Sequence, residues 1–126
     1  MALSVGLETP PGTTWNYNDG NFIILSHLIR NAAGGHASGV LRFARQELFA
    51  PLGMRNVTLE FDASGNPEGS SQMLASARDW ARFGQLYLND GVVGGKRILP
   101  EGWVKYSAQS TPGAWVGMSA GSITVV

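Results

Sequence analysis

Tyr17 and Asp19 are the two residues of this sequence whose types and spacing are best suited to chemistry. They lie in the segment 10–22, where two prolines and a glycine predict a turn directly before a helix. A tyrosine hydroxyl at such a place can pass protons, but with an ordinary pKa of about 10 it needs nearby cations to act as a base at neutral pH. The alternative interpretation makes Tyr17 an amphipathic core residue and Asp19 a helix cap.

A second motif, Gly117-x-Ser119-x-Gly121, has the letters of the nucleophile elbow of lipase-like hydrolases. That elbow needs a strand before the serine, a helix behind it, and an acid and a histidine later in the chain. Both histidines, His27 and His36, come earlier. We therefore expect a chance match at Ser119.

The remaining polar groups favour structural interpretations. His27 and His36 are nine residues apart, with no acidic residue at ligand spacing, so no metal site is predicted. The glycine-rich segment 34–39 follows a helix and lacks a Walker lysine, which indicates a turn between helices rather than a phosphate loop. Glu60 and Asp62 are interpreted as solvent-facing charges. No cofactor is predicted.

The composition limits the possible partners. Nine basic residues balance nine acidic ones, only 14% of positions are charged, and no basic cluster is present, so we expect neither a nucleic-acid nor a membrane partner. The 44% hydrophobic content is typical of a folded domain. The absence of cysteine excludes a disulfide framework, and residues 1–8 lack the features of a secretory signal, so the compartment stays open.

The elements that must position Tyr17 and Asp19 are predicted to be mostly helical. Asn18 or Asp19 is expected to cap a first helix with a stripe at Phe22, Leu25, Leu28, Ile29 and Ala32. Ser38 is expected to cap a second helix, which Pro51 ends and whose stripe is Val40, Leu41, Ala44 and Leu48.

The second half of the chain is predicted to contain one short strand and two further helices. The strand is 57–61, and a capping box from Ser76 to Asp79 opens the third helix. Pro100 is expected at the first position of a short fourth helix. Charged residues are absent after Lys105. We therefore predict the helical portion of a domain in 1–110 and an uncharged tail in 111–126. The tail is either part of a larger sheet or not the native continuation. The fold class is mainly α with short strands.

Four segments in this order resemble one known family. They are Pro11-Gly12-Thr13-x-Trp15-x-Tyr17-x-Asp19-x-x-Phe22, Phe49-x-Pro51-Leu52-Gly53-Met54, Ser76-Ala77-Arg78-Asp79-x-Ala81-Arg82-Phe83-Gly84 and Arg97-Ile98-Leu99-Pro100-Glu101-x-Trp103-Val104. The family is that of the serine hydrolases related to class C β-lactamases and penicillin-binding proteins, which includes D-aminopeptidases, esterases and 6-aminohexanoate-dimer hydrolases. The resemblance implies the helical subdomain of an α/β (α+β) β-lactamase/transpeptidase-like fold.

The resemblance also implies roles for the two candidate residues. Tyr17 matches the tyrosine of the family's Tyr-x-Asn motif, which passes protons between the catalytic serine and the leaving group. Asp19 stands where that motif has asparagine, and an aspartate accepts hydrogen bonds but cannot donate to a substrate carbonyl. Recognition of a penicillin-type amide is therefore less expected than hydrolysis of an ester or another amide by way of an acyl-enzyme.

The family's other catalytic motifs do not occur in these 126 residues. No serine is followed three positions later by lysine, and no late Lys-Thr-Gly or His-x-Gly motif is found. We therefore expect a partial chain that is inactive alone and that self-associates through uncovered apolar surface. The alternative is a non-catalytic helical binding module, or a degenerate truncated paralogue, that binds a partner through Trp80, Trp103, Trp115 and the apolar tail.

Overall fold

The computed structural model describes residues 6, 9–10, 13–71 and 73–109. Helices are the main elements in this part of the chain. In order they are α1 (Asp19–Ala32), α2 (Ala37–Ala44), a π-helical segment (Arg45–Phe49), α3 (Ala50–Leu52), α4 (Ala77–Leu88) and α5 (Trp103–Ser107). Four short strands complete the description, namely β1 (Val57–Leu59), β2 (Met73–Ala75), β3 (Val92–Val93) and β4 (Lys96–Arg97). The prediction of a mainly helical chain with short strands is confirmed.

Helix α1 begins after Asn18, whose side chain accepts a hydrogen bond from the Gly20 amide at 2.7 Å. Of the two predicted caps, Asn18 is the correct one, because its extended backbone lets the side-chain oxygen turn back onto the first helical turn. Asp19 is instead the first helical residue. The helix ends in the predicted glycine turn, but Leu28 and Ile29 of the predicted stripe are exposed.

Helix α2 is capped by His36 and not, as predicted, by Ser38. The His36 Nδ1 atom accepts from the Gly39 amide at 3.0 Å, and Ser38 Oγ lies 3.0 Å from the same nitrogen. Pro51 does not end the helix either. It lies inside the short helix α3, at a position in the first turn where a helical residue needs no amide proton.

The strands form two separate antiparallel pairs. In the first, Val57 pairs with Ala75 and Leu59 with Met73. The first strand is shorter than the predicted 57–61, although Phe61 still makes an isolated bridge with Pro67. In the second pair, β3 and β4 are joined through a turn at Gly94 and Gly95, both of which have positive φ.

Helix α4 begins at the predicted cap, Ser76, and α5 begins later than predicted. Pro100 is not its first residue, because Gly102 takes a left-handed conformation (φ 80°) that separates Pro100 from the helix. The Pro100 carbonyl instead accepts from the Trp103 amide at 3.1 Å.

The core lies where the π-helical segment, α3 and α4 meet. Phe49, Leu52, Met54 and Leu86 are buried there, and Leu48, Val57 and Phe83 pack against them. None of the helices in the described residues is both long and apolar enough to cross a bilayer. Trp115, Ser119 and the predicted tail 111–126 lie outside the described residues.

Candidate active site

Tyr17 lies on the extended segment that leads into α1. Its side chain is 53% exposed, and its ring packs against Phe22 with centroids 6.0 Å apart and planes at 53°. Within the described residues the Tyr17 hydroxyl makes no hydrogen bond, and neither Lys96 nor Lys105 donates to it. The ring of Tyr17 therefore contacts Phe22, while much of the side chain is exposed to solvent.

Asp19 lies two residues beyond Tyr17, in the first turn of α1, and is exposed. An aspartate in this position interacts favourably with the positive end of the helix dipole. Asn18 lies between them, and its side-chain oxygen accepts a hydrogen bond from the Gly20 amide. The structure therefore brings the two predicted site residues to one helix start, with a capping residue between them.

The histidines lie in two separate structural settings. His27 Nδ1 is 3.2 Å from Asn66 Oδ1, and His27 Nε2 is 3.1 Å from the Asn31 side-chain nitrogen. Arg30 also donates to Asn66 Oδ1, at 3.2 Å. His36 serves as the cap of α2. In the described ranges no three acidic or histidine side chains are grouped so as to hold a metal ion.

Asp62 organises the loop that packs on α1 and is not simply the solvent-facing charge that was predicted. One of its carboxylate oxygens accepts from the amides of Ser64 and Asn66, at 2.9 and 2.8 Å, and the other accepts from the Asn66 side chain at 2.9 Å. The bond from the Asn66 side chain is the main reason that the pKa of Asp62 is lowered. Asp62 therefore has a structural role, while Glu60 is exposed as predicted.

The most strongly bound carboxylate of the described chain is Asp79, whose surroundings the sequence pattern did not reveal. It is fully buried in the first turn of α4. It accepts hydrogen bonds from the Ser76 hydroxyl (2.9 Å), the Arg82 guanidinium (2.6 Å), and the backbone amides of Arg55 (3.3 Å) and Asn56 (2.9 Å).

These bonds decide the protonation state of Asp79. Burial by itself raises the pKa of this carboxyl, but the hydrogen bonds from the Asn56 amide, Ser76 and Arg82 outweigh burial and lower the pKa from 3.8 to about 2. Asp79 is thus ionised at neutral pH and holds the segment after α3 against the start of α4.

The predicted capping box is only half formed as a result. Ser76 Oγ accepts from the Asp79 amide at 3.2 Å, as the motif requires. The return bond is replaced, because the Ser76 amide donates to the Asn56 carbonyl at 3.2 Å and the Asp79 side chain turns to the neighbouring segment. The spacing of Ser76 and Asp79 in the sequence indicated a helix cap. It did not indicate which residues donate hydrogen bonds to the Asp79 carboxylate.

An open groove of about 420 Å³ lies over the β1–β2 pair. Its lining residues are Arg55, Asn56, Val57, Thr58, Leu74 and Ala75. Neither Tyr17 nor Asp19 is among them. The groove and the candidate catalytic residues are therefore different places on the molecule.

Comparisons with known proteins agree with the four-segment resemblance. The family model described as Beta-lactamase matches residues 1–121. A solved structure described as “Putative 6-aminohexanoate-dimer hydrolase from Bacillus anthracis” superposes with a TM-score of 0.75 at 30% identity, covering 90% of this chain and 31% of that one. No curated protein matches the chain.

A second solved structure shows the same fold at lower identity. It is described as a “putative beta-lactamase from Bacteroides dorei DSM 17855” and superposes with a TM-score of 0.63 at 21% identity, covering 91% of this chain and 35% of that one. This chain thus spans about a third of the length of both solved structures. Because the family model matches nearly all of its residues, the chain belongs to the β-lactamase family.

Proposed function

We propose that this chain carries the proton-transferring tyrosine of a serine hydrolase that acts on a small-molecule ester or amide. The observation that supports this most directly is the position of Tyr17 in a member of the β-lactamase family. It is exposed, its ring is held by Phe22, and its hydroxyl is unengaged within the described residues. In this proposal residues 1–110 are the helical part of the family fold and 111–126 are a separate, uncharged tail.

In the proposed reaction Tyr17 acts first as a base, which takes up a proton, and then as an acid, which gives that proton away. As its phenolate, held ionised by a lysine cation, it takes the proton of a serine hydroxyl while the serine oxygen attacks the substrate carbonyl. It then gives that proton to the departing alcohol or amine, which leaves an acyl-enzyme. A water molecule, deprotonated by Tyr17 in the same way, then attacks the carbonyl of the acyl-enzyme. The acid is released, and Tyr17 returns the proton to the serine oxygen. The serine and lysine of this scheme form a Ser-x-x-Lys pair, which these 126 residues do not contain.

Asp19 has a different role from the asparagine that the family motif has at this position. Its carboxylate accepts hydrogen bonds only, so it cannot donate to an amide carbonyl of the substrate. We therefore assign Asp19 to orienting the lysine cation or Tyr17, and we expect esters to be better substrates than β-lactams.

A hybrid enzyme tests the proposal. In the Bacillus anthracis protein the matching third is replaced by this chain, and turnover of chromogenic esters, amides and nitrocefin is measured. We expect hydrolysis by the hybrid, and a fall in kcat of about 10²- to 10⁴-fold for Tyr17→Phe, the size of a lost general acid–base. The 126-residue protein alone is expected to show no turnover above buffer. A folded, active hybrid that is unchanged by Tyr17→Phe would contradict the role of Tyr17.

A non-catalytic binding module is the second candidate function. Trp80 supports it, because this side chain is 43% exposed on α4 and packs edge-to-face on Phe83 with centroids 6.0 Å apart. Exposed tryptophans are frequent anchors of protein interfaces. This candidate predicts that the hybrid enzyme is inactive and that Trp80→Ala abolishes partner binding.

A further inference from the structure

Gly69 lies directly against helix α1, at the turn between Phe22 and Ser26. A Cβ atom added to Gly69 would collide with the hydroxyl oxygen of Ser26 and would lie 3.2 Å from the Phe22 carbonyl oxygen. Ser26 is buried, with only 5% of its surface exposed. The backbone of Gly69 is outside the left-handed region that favours glycine. The close approach to α1, rather than the backbone conformation, is therefore what requires glycine at this position.

The loop 60–71, to which this glycine belongs, is anchored to α1 at a second point. Asn66 Oδ1 is 3.2 Å from His27 Nδ1 and 3.2 Å from a guanidinium nitrogen of Arg30. Asp62 holds Asn66 in turn, because its carboxylate accepts hydrogen bonds from the Asn66 amide (2.8 Å) and side chain (2.9 Å). The loop cannot swing away from α1 without breaking these bonds.

The turn that Gly69 contacts also supports the candidate catalytic tyrosine. The ring of Tyr17 packs against the ring of Phe22, with centroids 6.0 Å apart. Gly69 approaches the backbone carbonyl of the same Phe22. Because closely packed groups transmit displacements to one another, a shift of this turn moves the Phe22 ring and the phenol that rests on it. A continuous series of contacts thus leads from the loop to Tyr17.

We infer that Gly69 is a positioning residue for Tyr17. Its lack of a side chain lets the anchored loop lie directly on α1, and this contact fixes the turn that carries Phe22 and, through Phe22, the Tyr17 ring. The inference rests on the proposed function, since Tyr17 is the tyrosine of that reaction. A displacement of about 1 Å at a catalytic group can cost about 100-fold in rate, so the contact at Gly69 is expected to affect kcat.

An exchange of volume between positions 69 and 26 tests the inference. Gly69→Ala places a methyl group where the Ser26 hydroxyl oxygen lies, and Ser26→Ala removes that oxygen. The Cβ atom of residue 26 is then 3.3 Å from the new methyl group, a tight contact but not a collision. The double variant should therefore recover what Gly69→Ala loses. Gly84→Ala is the matched control, because a Cβ atom there has open space around it.

The first measurement follows the Tyr17 ring in this chain labelled with fluorotyrosine. The fluorine NMR resonance of Tyr17 is the one that disappears in Tyr17→Phe. We expect Gly69→Ala to shift this resonance, the double variant to return it, and Gly84→Ala to leave it in place. The resonances of Tyr87 and Tyr106 serve as internal references and should not shift in Gly69→Ala.

The second measurement uses the hybrid enzyme, with active sites counted by the burst of acyl-enzyme formation. Counting the active sites separates a slower site from a smaller number of folded molecules. We expect kcat per active site to fall by about tenfold or more in Gly69→Ala while KM changes by no more than about twofold. In the double variant kcat should return to within about threefold of the wild type, and in Gly84→Ala it should be unchanged.

Three outcomes overturn the inference. They are an unchanged Tyr17 resonance in Gly69→Ala, an equal shift of all three tyrosine resonances, and a double variant that recovers neither the resonance nor kcat. An active hybrid that is impaired by Tyr17→Phe but not by Gly69→Ala also overturns it and leaves the proposed function in place. The proposed function fails separately: a Tyr17 resonance that shifts and recovers as expected, together with a hybrid that is inactive or insensitive to Tyr17→Phe, refutes the catalytic role and leaves the positioning of Tyr17 by Gly69 intact.

Discussion

Helices α1 and α4 begin in similar ways, yet their first turns have opposite surroundings. Each has a capping side chain, Asn18 in one and Ser76 in the other, and each has an aspartate in its first turn. Asp79 of α4 is fully buried and accepts four hydrogen bonds from side chains and backbone amides of the described chain. Asp19 of α1 is exposed, as is the neighbouring Tyr17.

The same local pattern thus occurs in two different surroundings. At α4 the carboxylate fastens two segments of the core together, so its partners are internal and already in place. At α1 the side chains of Tyr17 and Asp19 are exposed to solvent, which the proposed function requires of groups that contact a substrate. The following predictions test this contrast, from the largest expected effect to the smallest.

Removal of the Asp79 carboxylate is expected to have the largest effect on stability. Asp79→Ala leaves the Arg55 and Asn56 amides without acceptors and the Arg82 guanidinium without its ion pair. We expect the melting temperature to fall by about 10 °C or more. Tyr17→Phe and Asp19→Ala are the matched changes at α1 and should shift it by no more than about 2 °C. Similar shifts for all three variants, measured by thermal unfolding, would remove the contrast between the two helix starts.

Acid should weaken the α4 region through the same carboxylate. The pKa of Asp79 is about 2 in the folded chain, below the usual value of 3.8. As the pH falls from about 4 to 2, the unfolded chain takes up a proton that the folded chain does not, so stability is present above pH 4 and is lost through this window. Asp62, whose pKa is also lowered, acts with the same sign.

The measurement for this second prediction is the urea midpoint as a function of pH. We expect a shallower dependence between pH 4 and 2 in Asp79→Asn than in the wild type. Parallel curves for the two proteins would show that Asp79 does not carry this dependence.

Packing beside α4 gives a third prediction, based on two glycines with left-handed backbones. Gly91 (φ 78°) is buried, and a Cβ atom there would lie 2.7 Å from Leu99 Cβ, whereas Gly95 (φ 80°) has open space around it. Gly95→Ala should lower the free energy of unfolding by about 1 to 2 kcal/mol through backbone strain alone. Gly91→Ala should lower it by about 1 to 3 kcal/mol more, because the core must also move. Equal effects in chemical denaturation would argue against tight packing at Gly91.

The smallest expected effect concerns substrate preference at α1. In the hybrid enzyme, Asp19→Asn provides an amide donor where the wild type has an acceptor. We expect the ratio of nitrocefin to ester turnover, compared as kcat/KM, to rise by about three- to tenfold, the value of one hydrogen bond. Asp19→Ala is the control and should not raise that ratio. An unchanged ratio in Asp19→Asn would indicate that this side chain does not face the substrate carbonyl.

Much of the local structure could be predicted from sequence patterns. The Ser76 cap, the glycine turns and the helical character of the first and third helices follow from short-range rules. Two of the errors, the caps of α2 and α5, share one cause, since they occur where a neighbouring residue offers a better partner or conformation. His36 replaces Ser38 as a cap because its ring nitrogen reaches the Gly39 amide, and Gly102 separates Pro100 from α5.

The candidate site was predictable only as a pair of residues. Tyr17 and Asp19 were identified by type, spacing and resemblance, and the structure places them at one helix start. Asp79 was identified only as half of a capping box, because its two amide donors lie 23 and 24 residues earlier in the chain. Periodicity and capping rules do not extend over such a separation.

By itself, the sequence determined the family, the helical character of the chain and the position of its tyrosine before a helix. These features depend on residue order and on interactions within a few residues, so they can be inferred from the sequence without the tertiary structure. The tertiary structure alone decided that Asp79 is buried and ionised, that Asp62 organises a loop, and that one side of α1 is covered while Leu28 remains exposed. Burial and long-range hydrogen bonds depend on which distant segments meet, and only the folded chain brings those segments together.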